Sequence, residues 1–323
     1  MRRKVSVIVT VKNEGRALRK LMDSLCAQTR RPDEVVVVDG GSTDDTVEVV
    51  REYTARLPLR ILVRPGANIS QGRNTAVDAA SGEIIASTDA GVRLSPNWLE
   101  ELIKPFERPN PPSVVSGFFL PDPQSIFEVA MGATVLPTLG EVNLQRRFRR
   151  FLPSSRSMAF TKEAWEKVGG YPEWLDYCED LVFDLKLRDA YGPFAFAPKA
   201  IAYFRPRSSL GDFFVQYYRY ARGDGKADLW RQRHAVRYLT YLVLIPLIIF
   251  LGLRRGPLWW LPLPVGCAIV FWTPYKRLLP MIANYSTWDK IKAILLVPII
   301  RVTGDMAKMI GYPLGVIWRL RRR

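Results

Sequence analysis

Side chains able to do chemistry concentrate at a few places in the chain. Thr10, Lys12, Asn13 and Glu14 close the apolar run that begins at Val5, Asp39 closes VVVV, and Asp89 follows IIAST. Folding alone does not demand carboxylates at three such positions. A carboxylate can accept hydrogen bonds from a ligand, coordinate a hard cation or take a proton. Arg73, in QGRNTA, carries a guanidinium that matches phosphate oxygens two at a time. It lies just inside a helical pattern starting near Ser70, whose first N–H groups also favour anions. Glu179 and Asp180 are adjacent, so each raises the proton affinity of the other. The single histidine, His234, excludes a poly-histidine metal site. Cys26, Cys178 and Cys267 have no paired spacing, which excludes a disulfide framework and argues against a zinc ribbon.

The elements that must position these groups alternate. Val5–Val11, Glu34–Val38, Leu59–Val63 and Glu83–Ser87 read as strands. Between them lie a helical pattern at Leu18, Leu21, Met22 and Leu25, one carrying Val47 and Val50 with Thr43 as N-cap, and one over Ser70–Ala80. Strand, helix, strand at this spacing predicts an α/β fold, a mostly parallel sheet with helices on both faces. Ligands of such sheets bind beyond the carboxyl ends of the strands, where the polar residues cluster. No GxGxxG follows the first strand, so a dinucleotide reading is weak.

The 323 residues carry a formal net charge of +16, placed unevenly. Residues 231–323 hold 15 basic and 2 acidic side chains, so the front of the chain is near neutral and its end strongly basic. Within that end, 238–253 and 257–275 are uncharged. A spanning helix needs about 17–25 apolar residues, so the second run qualifies and the first is borderline. The two predict a membrane hairpin over about 237–275, with prolines, Trp259 and Trp260 suited to an interface. Arg231, Arg233 and Arg237 on one flank, and Lys276, Arg277, Lys290 and Lys292 on the other, place both flanks and the front domain in the cytoplasm. Residues 289–323 mix apolar runs with charge and read as a basic amphipathic or re-entrant segment. Uncharged runs interleaved with the basic residues argue against nucleic acid as the partner. The Arg-rich stretch 145–156 reads as a loop facing a membrane or an acceptor, or as solvated surface.

VSVIVTVKNEG, VVVVDGGSTDDT, RNTAVDAASGEIIASTDAG and CEDLVFDLKLRDAYG, in this order, resemble a family 2 glycosyltransferase of the GT-A fold over roughly residues 4–225. The resemblance implies inverting transfer of a sugar from a nucleotide-diphosphate donor, with Mg2+ or Mn2+. It places Thr10, Lys12 and Glu14 at the nucleoside, Asp39 on the base, and Arg73 and Asn74 near the diphosphate. It makes Asp89 the metal-binding carboxylate and Asp180, beside Glu179, the base that deprotonates an acceptor hydroxyl. The second carboxylate of the metal motif is replaced by Gly91, which leaves a weaker site. Gln216, Arg219 and Tyr220 resemble the QxxRW signature of membrane polysaccharide synthases, with tyrosine for tryptophan. That stretch reads either as an acceptor or diphosphate contact or as an aromatic helix stripe.

The expectation is therefore a GT-A domain over 1–230 and a membrane-anchoring region over 231–323. The enzyme would be a multi-pass protein of the cell membrane, adding sugar to a lipid-linked or surface glycan. Two further readings stand beside it: a polyprenyl-phosphate sugar synthase, and a non-catalytic nucleotide-sugar-binding membrane protein.

Overall fold

A computed structural model of the chain describes residues 3–144 and 151–322. The Arg-rich 145–150 lie outside them. The strands are β1 Val5–Val11, β2 Glu34–Asp39, β3 Leu59–Val63, β4 Ile84–Ser87, β5 Val92–Leu94, β6 Val114–Pro121, β7 Met158–Thr161 and β8 Ala195–Phe204. The helices before the tail are α1 Arg19–Cys26, α2 Thr46–Arg51, α3 Ile69–Ala79, α4 Trp98–Ile103, α5 Ile126–Val135, α6 Leu139–Leu144, α7 Lys162–Lys167, α8 Glu179–Tyr191 and α9 Leu210–Lys226. The tail holds α10 Arg231–Leu239, α11 Ile245–Arg255, α12 Pro262–Met281 and α13 Thr287–Arg321. Two compact units result: 1–122 with 138–205, and 123–137 with 206–323. The second unit thus takes in α5 and α9, both placed in 1–230 by sequence.

The first unit is one sheet in the order β3-β2-β1-β4-β7-β6-β8-β5. β3, β2, β1 and β4 run parallel, as expected. β7 is antiparallel to both β4 and β6, and β5 to β8. The sheet is therefore mixed rather than mostly parallel, because the motifs that signal parallel pairing stop at β4. β1 and β2 are continuous runs of valine and isoleucine, the composition of strands covered on both faces. Val7, Val9, Val35 and Val37 face a core with Leu21, Leu25, Val49 and Trp98. Ile8, Val36 and Val38 face another with Ala76, Val77, Phe160 and Phe183. α2 begins at Thr46 with Asp45 as its N-cap, two residues later than Thr43 implied. α3 begins at a reciprocal cap: the Gln71 backbone N–H donates to Asn68 Oδ1 at 2.9 Å, and the Asn68 N–H to Gln71 Oε1 at 3.0 Å.

In the second unit, α9 lies against α13, a single helix of 35 residues rather than a re-entrant segment. The approach requires glycine. A Cβ on Gly311 would stand 2.2 Å from the Tyr218 carbonyl oxygen, and one on Gly315 2.1 Å from that of Arg222. Arg231–Arg255 forms one continuous helical stretch with a π-helical turn at Thr240–Leu244. Its 25 residues are long and apolar enough to cross a membrane, and only 6% of its apolar window is buried. Among the described residues it is the single helix to pass that test, so the two-span hairpin is not supported. Residues 257–260 are spent on a 3-10 turn and α12 runs on through Lys276 and Arg277, which dilutes the second apolar run.

Candidate functional site

The loops after β1 and β2 are tied to each other. The Glu14 and Gly15 N–H groups both donate to Thr46 Oγ1 at 2.9 Å. The Asn13 N–H donates to Ser42 Oγ at 2.9 Å, and the Thr43 N–H to Asn13 Oδ1 at 2.8 Å. Asn13 sits in the left-handed region at φ 55°, a conformation asparagine tolerates. KNEG and DGGSTDDT are thus one interlocked construction. Beside it opens a cavity of about 290 Å³, lined by Thr10, Lys12 and Glu14, by Gly40, and by Asn68 and Gly72 at the start of α3.

Asp39, expected on a base, is 1% exposed and braces this construction from below. Its Oδ2 accepts from the Gly41 and Ser42 N–H groups at 3.0 and 2.9 Å, and its Oδ1 from the Ser42 hydroxyl. Asp39 is not among the residues that line the cavity; Gly40, whose N–H donates to the Val11 carbonyl at 2.9 Å, is.

On α3, Gly72 faces the cavity and the next residue, Arg73, points into a buried charge cluster. Arg73 Nη1 donates to Glu179 Oε1 at 2.7 Å, and Nη2 to Asp89 Oδ1 at 2.9 Å. The Arg73 side chain is only 4% exposed, and its guanidinium lies over the Tyr171 ring at 5.3 Å. Burial opposes its charge, but Asp89 and Glu179 outweigh that and hold it above its usual pKa. Burial first, and then neighbouring Asp180, push the Glu179 carboxyl up to about 7 against the pull of Arg73. Asp180 is half-buried at the same helix start. Cys178, the N-cap of α8, has φ 65°, an unfavourable value for a non-glycine residue, and the Leu181 N–H donates to Asp180 Oδ1 at 2.8 Å.

Asn74 does not join this cluster. Its Nδ2 donates to the Tyr171 carbonyl at 2.9 Å and to Glu173 Oε1 at 3.0 Å. Its Oδ1 accepts from the Tyr171 N–H at 2.8 Å and from Trp165 Nε1 at 3.1 Å. Both ends of the amide are spent on the loop before α8, so Asn74 acts as a clamp. Gln216, Arg219 and Tyr220 lie on α9, in the second unit, where Gln216 Nε2 donates to the Tyr220 hydroxyl at 2.8 Å.

For a divalent cation, Asp89 offers one carboxylate. Among the described residues no group of three acidic, histidine or cysteine side chains could hold a metal. Asp89 Oδ2 faces Arg156 Nε at 3.6 Å, and a Cβ on Gly91 would meet nothing within 4 Å. The position where a second carboxylate of the motif would stand is therefore open, while both Asp89 oxygens face guanidinium groups. The donor set fits Mg2+ or Mn2+ if phosphate oxygens and water complete the shell, since such ions need few protein ligands.

Sequence reading missed Arg156, Tyr171 and Asp184. Arg156 lies in an Arg-rich stretch that hides it, and Tyr171 in a loop without periodicity. Asp184 sits one turn after Asp180, and its fully buried carboxyl has no hydrogen-bond partner among the described residues. Burial, and then Asp180, hold it well above the usual carboxylate range.

Residues 6–154 match the family Glycosyl transferase family 2. The uncharacterized glycosyltransferase YibD of Escherichia coli (strain K12) is 35% identical over 101 residues, 31% of this chain and 29% of YibD. The chain thus spans less than a third of that relative's length. The succinoglycan biosynthesis protein ExoA of Rhizobium meliloti is 27% identical over 276 residues, 80% of this chain and 81% of ExoA. The mannosyltransferase PcManGT from Pyrobaculum calidifontis, solved with GDP-Man and Mn2+, superposes with a TM-score of 0.57 at 20% identity. That match covers 100% of this chain and 88% of the solved one, and it shows a shared fold.

Proposed function

We propose that this protein transfers a sugar, with inversion, from a nucleotide-diphosphate donor to a hydroxyl of a lipid-linked or surface glycan; the match of residues 6–154 to Glycosyl transferase family 2 and the GT-A-like mixed sheet of the first unit support this reading. The observation that carries this reading is the cavity at the carboxyl ends of β1 and β2, with the Arg73–Asp89–Glu179 cluster one residue along α3 from its wall.

The nucleoside enters the cavity beside Thr10, Lys12 and Glu14, over the Gly40 backbone, next to the Gly41 and Ser42 N–H groups that Asp39 holds in place. The diphosphate lies towards Arg73 and Arg156, whose guanidinium groups take up the charge that grows as the glycosidic bond to phosphate breaks. Asp180 accepts the acceptor hydroxyl's proton while that oxygen attacks the anomeric carbon from the face opposite the leaving group. Glu179 touches Arg73 and orients it. Asp89 would hold Mg2+ or Mn2+, which would supply positive charge to the leaving diphosphate; the Mn2+ recorded for PcManGT supports that choice. Arg231–Arg255 would hold the catalytic unit at the cytoplasmic face of the membrane, and ExoA's role in succinoglycan biosynthesis supports a glycan acceptor.

The test is Asp180→Asn on the full chain. Donors are first screened by thermal shift with UDP-, GDP- and dTDP-sugars, with and without Mn2+. The variant is expected to keep the donor shift and lose transfer by about two orders of magnitude or more, the scale of general-base catalysis. Full activity in the variant would overturn the base, because it would mean an acceptor that arrives already ionised, such as a polyprenyl phosphate.

A further inference from the structure

The second unit holds a cavity of about 490 Å³ bounded by α5, α9, α12 and α13, and no step of the proposed transfer uses it. Arg277, Arg301 and Lys308 line it, against one carboxylate, Asp305. Asp305 is already engaged. It accepts from Arg237 Nε at 2.8 Å, the Tyr241 hydroxyl at 3.1 Å and Arg301 Nε at 3.2 Å. Lys308, half-buried, has no hydrogen-bond acceptor among the described residues; its Nζ stands 4.8 Å from the centre of the Tyr217 ring. With Asp305 shared by Arg237, Tyr241 and Arg301, Lys308 has no carboxylate of its own among the described residues, in a space partly removed from water, which is costly without a counter-anion.

The same cavity has an apolar wall on α12. Ile269 and Val270 line it while remaining 72% and 40% exposed, and Trp272, 70% exposed, continues the apolar surface. Charge at one end and open hydrocarbon-binding surface at the other match an amphiphile better than a free anion.

We propose that this cavity binds the phosphate of an anionic lipid, with Lys308, Arg277 and Arg301 on the phosphate and the α12 face along the acyl or prenyl chain. A phosphate oxygen accepts charge-assisted hydrogen bonds from all three cations. The site lies within the second unit and stands whether or not the sugar-transfer reading does.

The experiment uses the full chain in neutral detergent. Three probes are titrated: dioleoyl phosphatidic acid, dioleoylglycerol with the same chains and no phosphate, and inorganic phosphate with no chains. Phosphatidic acid is expected to bind at least about tenfold tighter than either of the others, and Lys308→Gln to weaken it about tenfold, the worth of one such contact. Lys308→Arg is expected to restore binding. Arg321→Gln, which removes an exposed charge at the end of the same helix, is expected to leave it unchanged. Should Lys308→Gln fail to fold, Arg277→Gln carries the same expectation. Equal affinity for dioleoylglycerol or for inorganic phosphate would overturn the proposal, as would equal losses in Lys308→Gln and Arg321→Gln.

Discussion

Replacing Arg73 with methionine keeps most of the aliphatic stem and removes the guanidinium that Glu179 and Asp89 share. Breaking a buried ion pair from one side costs about 3–5 kcal/mol, because the partner's charge is left uncompensated. Here the two partners are unequal. The Asp89 side chain is 27% exposed and still faces Arg156, whereas the Glu179 side chain is 8% exposed and has Asp180 beside it. Most of the cost therefore falls on Glu179, and Glu179 can escape it by binding a proton. At pH 8 the expected loss is about 3 kcal/mol, near the lower end of that range. At about 2–4 °C per kcal/mol, the melting temperature should drop by about 6–12 °C. Below pH 6 the drop should shrink. The assay is thermal unfolding of the full chain in detergent, read by tryptophan fluorescence at both pH values. Arg73→Met combined with Glu179→Gln should recover more than half of the loss at pH 8, since a neutral amide needs no guanidinium. A melting temperature within about 2 °C of the parent for Arg73→Met, or no recovery in the double variant, would refute the reasoning.

Two further outcomes follow from the same cluster and its neighbour on α3. The Glu179 carboxyl has its folded value raised from 4.5 to about 7, so its stabilisation is complete below pH 4.5 and is lost as pH rises through 7. That loss amounts to at most about 3 kcal/mol, and Glu179→Gln should flatten the curve of melting temperature against pH between those values. Gly72→Ala would put a Cβ 2.9 Å from Thr10 Cγ2. Overpacking of this kind costs about 1–3 kcal/mol; because it pushes the start of α3 away from β1, donor affinity should fall more than global stability, measured by titration and by melting temperature on the same sample.

What could be read from the sequence followed from period and punctuation. β1, β2, β3 and β4 are short runs of valine, isoleucine and leucine bounded by turns, and β1 and β3 matched their expected bounds to the residue. The second half of the sheet had no such signal. β7 is only MAFT and β5 only VRL, and both are strands because of what they pair with rather than because of their own pattern. The helical unit was hidden for a related reason. α5 belongs to it although it lies a long way along the chain from α12 and α13, and the partner that buries Val129 and Ala133 is Val297 and its neighbours. Periodicity shows that a face is apolar; it does not show what covers it.

The candidate site exposes a sharper limit. A polar residue just past the end of a parallel strand has two occupations open to it, and both ask for the same side chains. The chain must turn there, and a carboxylate or amide that accepts backbone N–H groups makes the turn. Ligands bind there too, and the same groups hold them. Asp39, Asp44 and Asn13 hold the turn: each accepts backbone N–H hydrogen bonds within the two interlocked loops. Asp89 lies at an equivalent strand end but bonds guanidinium groups from α3 and from Arg156. Spacing alone cannot divide these residues, because it is identical in kind. What divides them is the partner, and the partner of Asp89 comes from helix α3 while that of Glu179 is the same arginine from more than a hundred positions away. A buried cation shared by carboxylates from separate elements is not required to make any turn, and so it is the stronger sign of a site than the acidic residues from which the reading began.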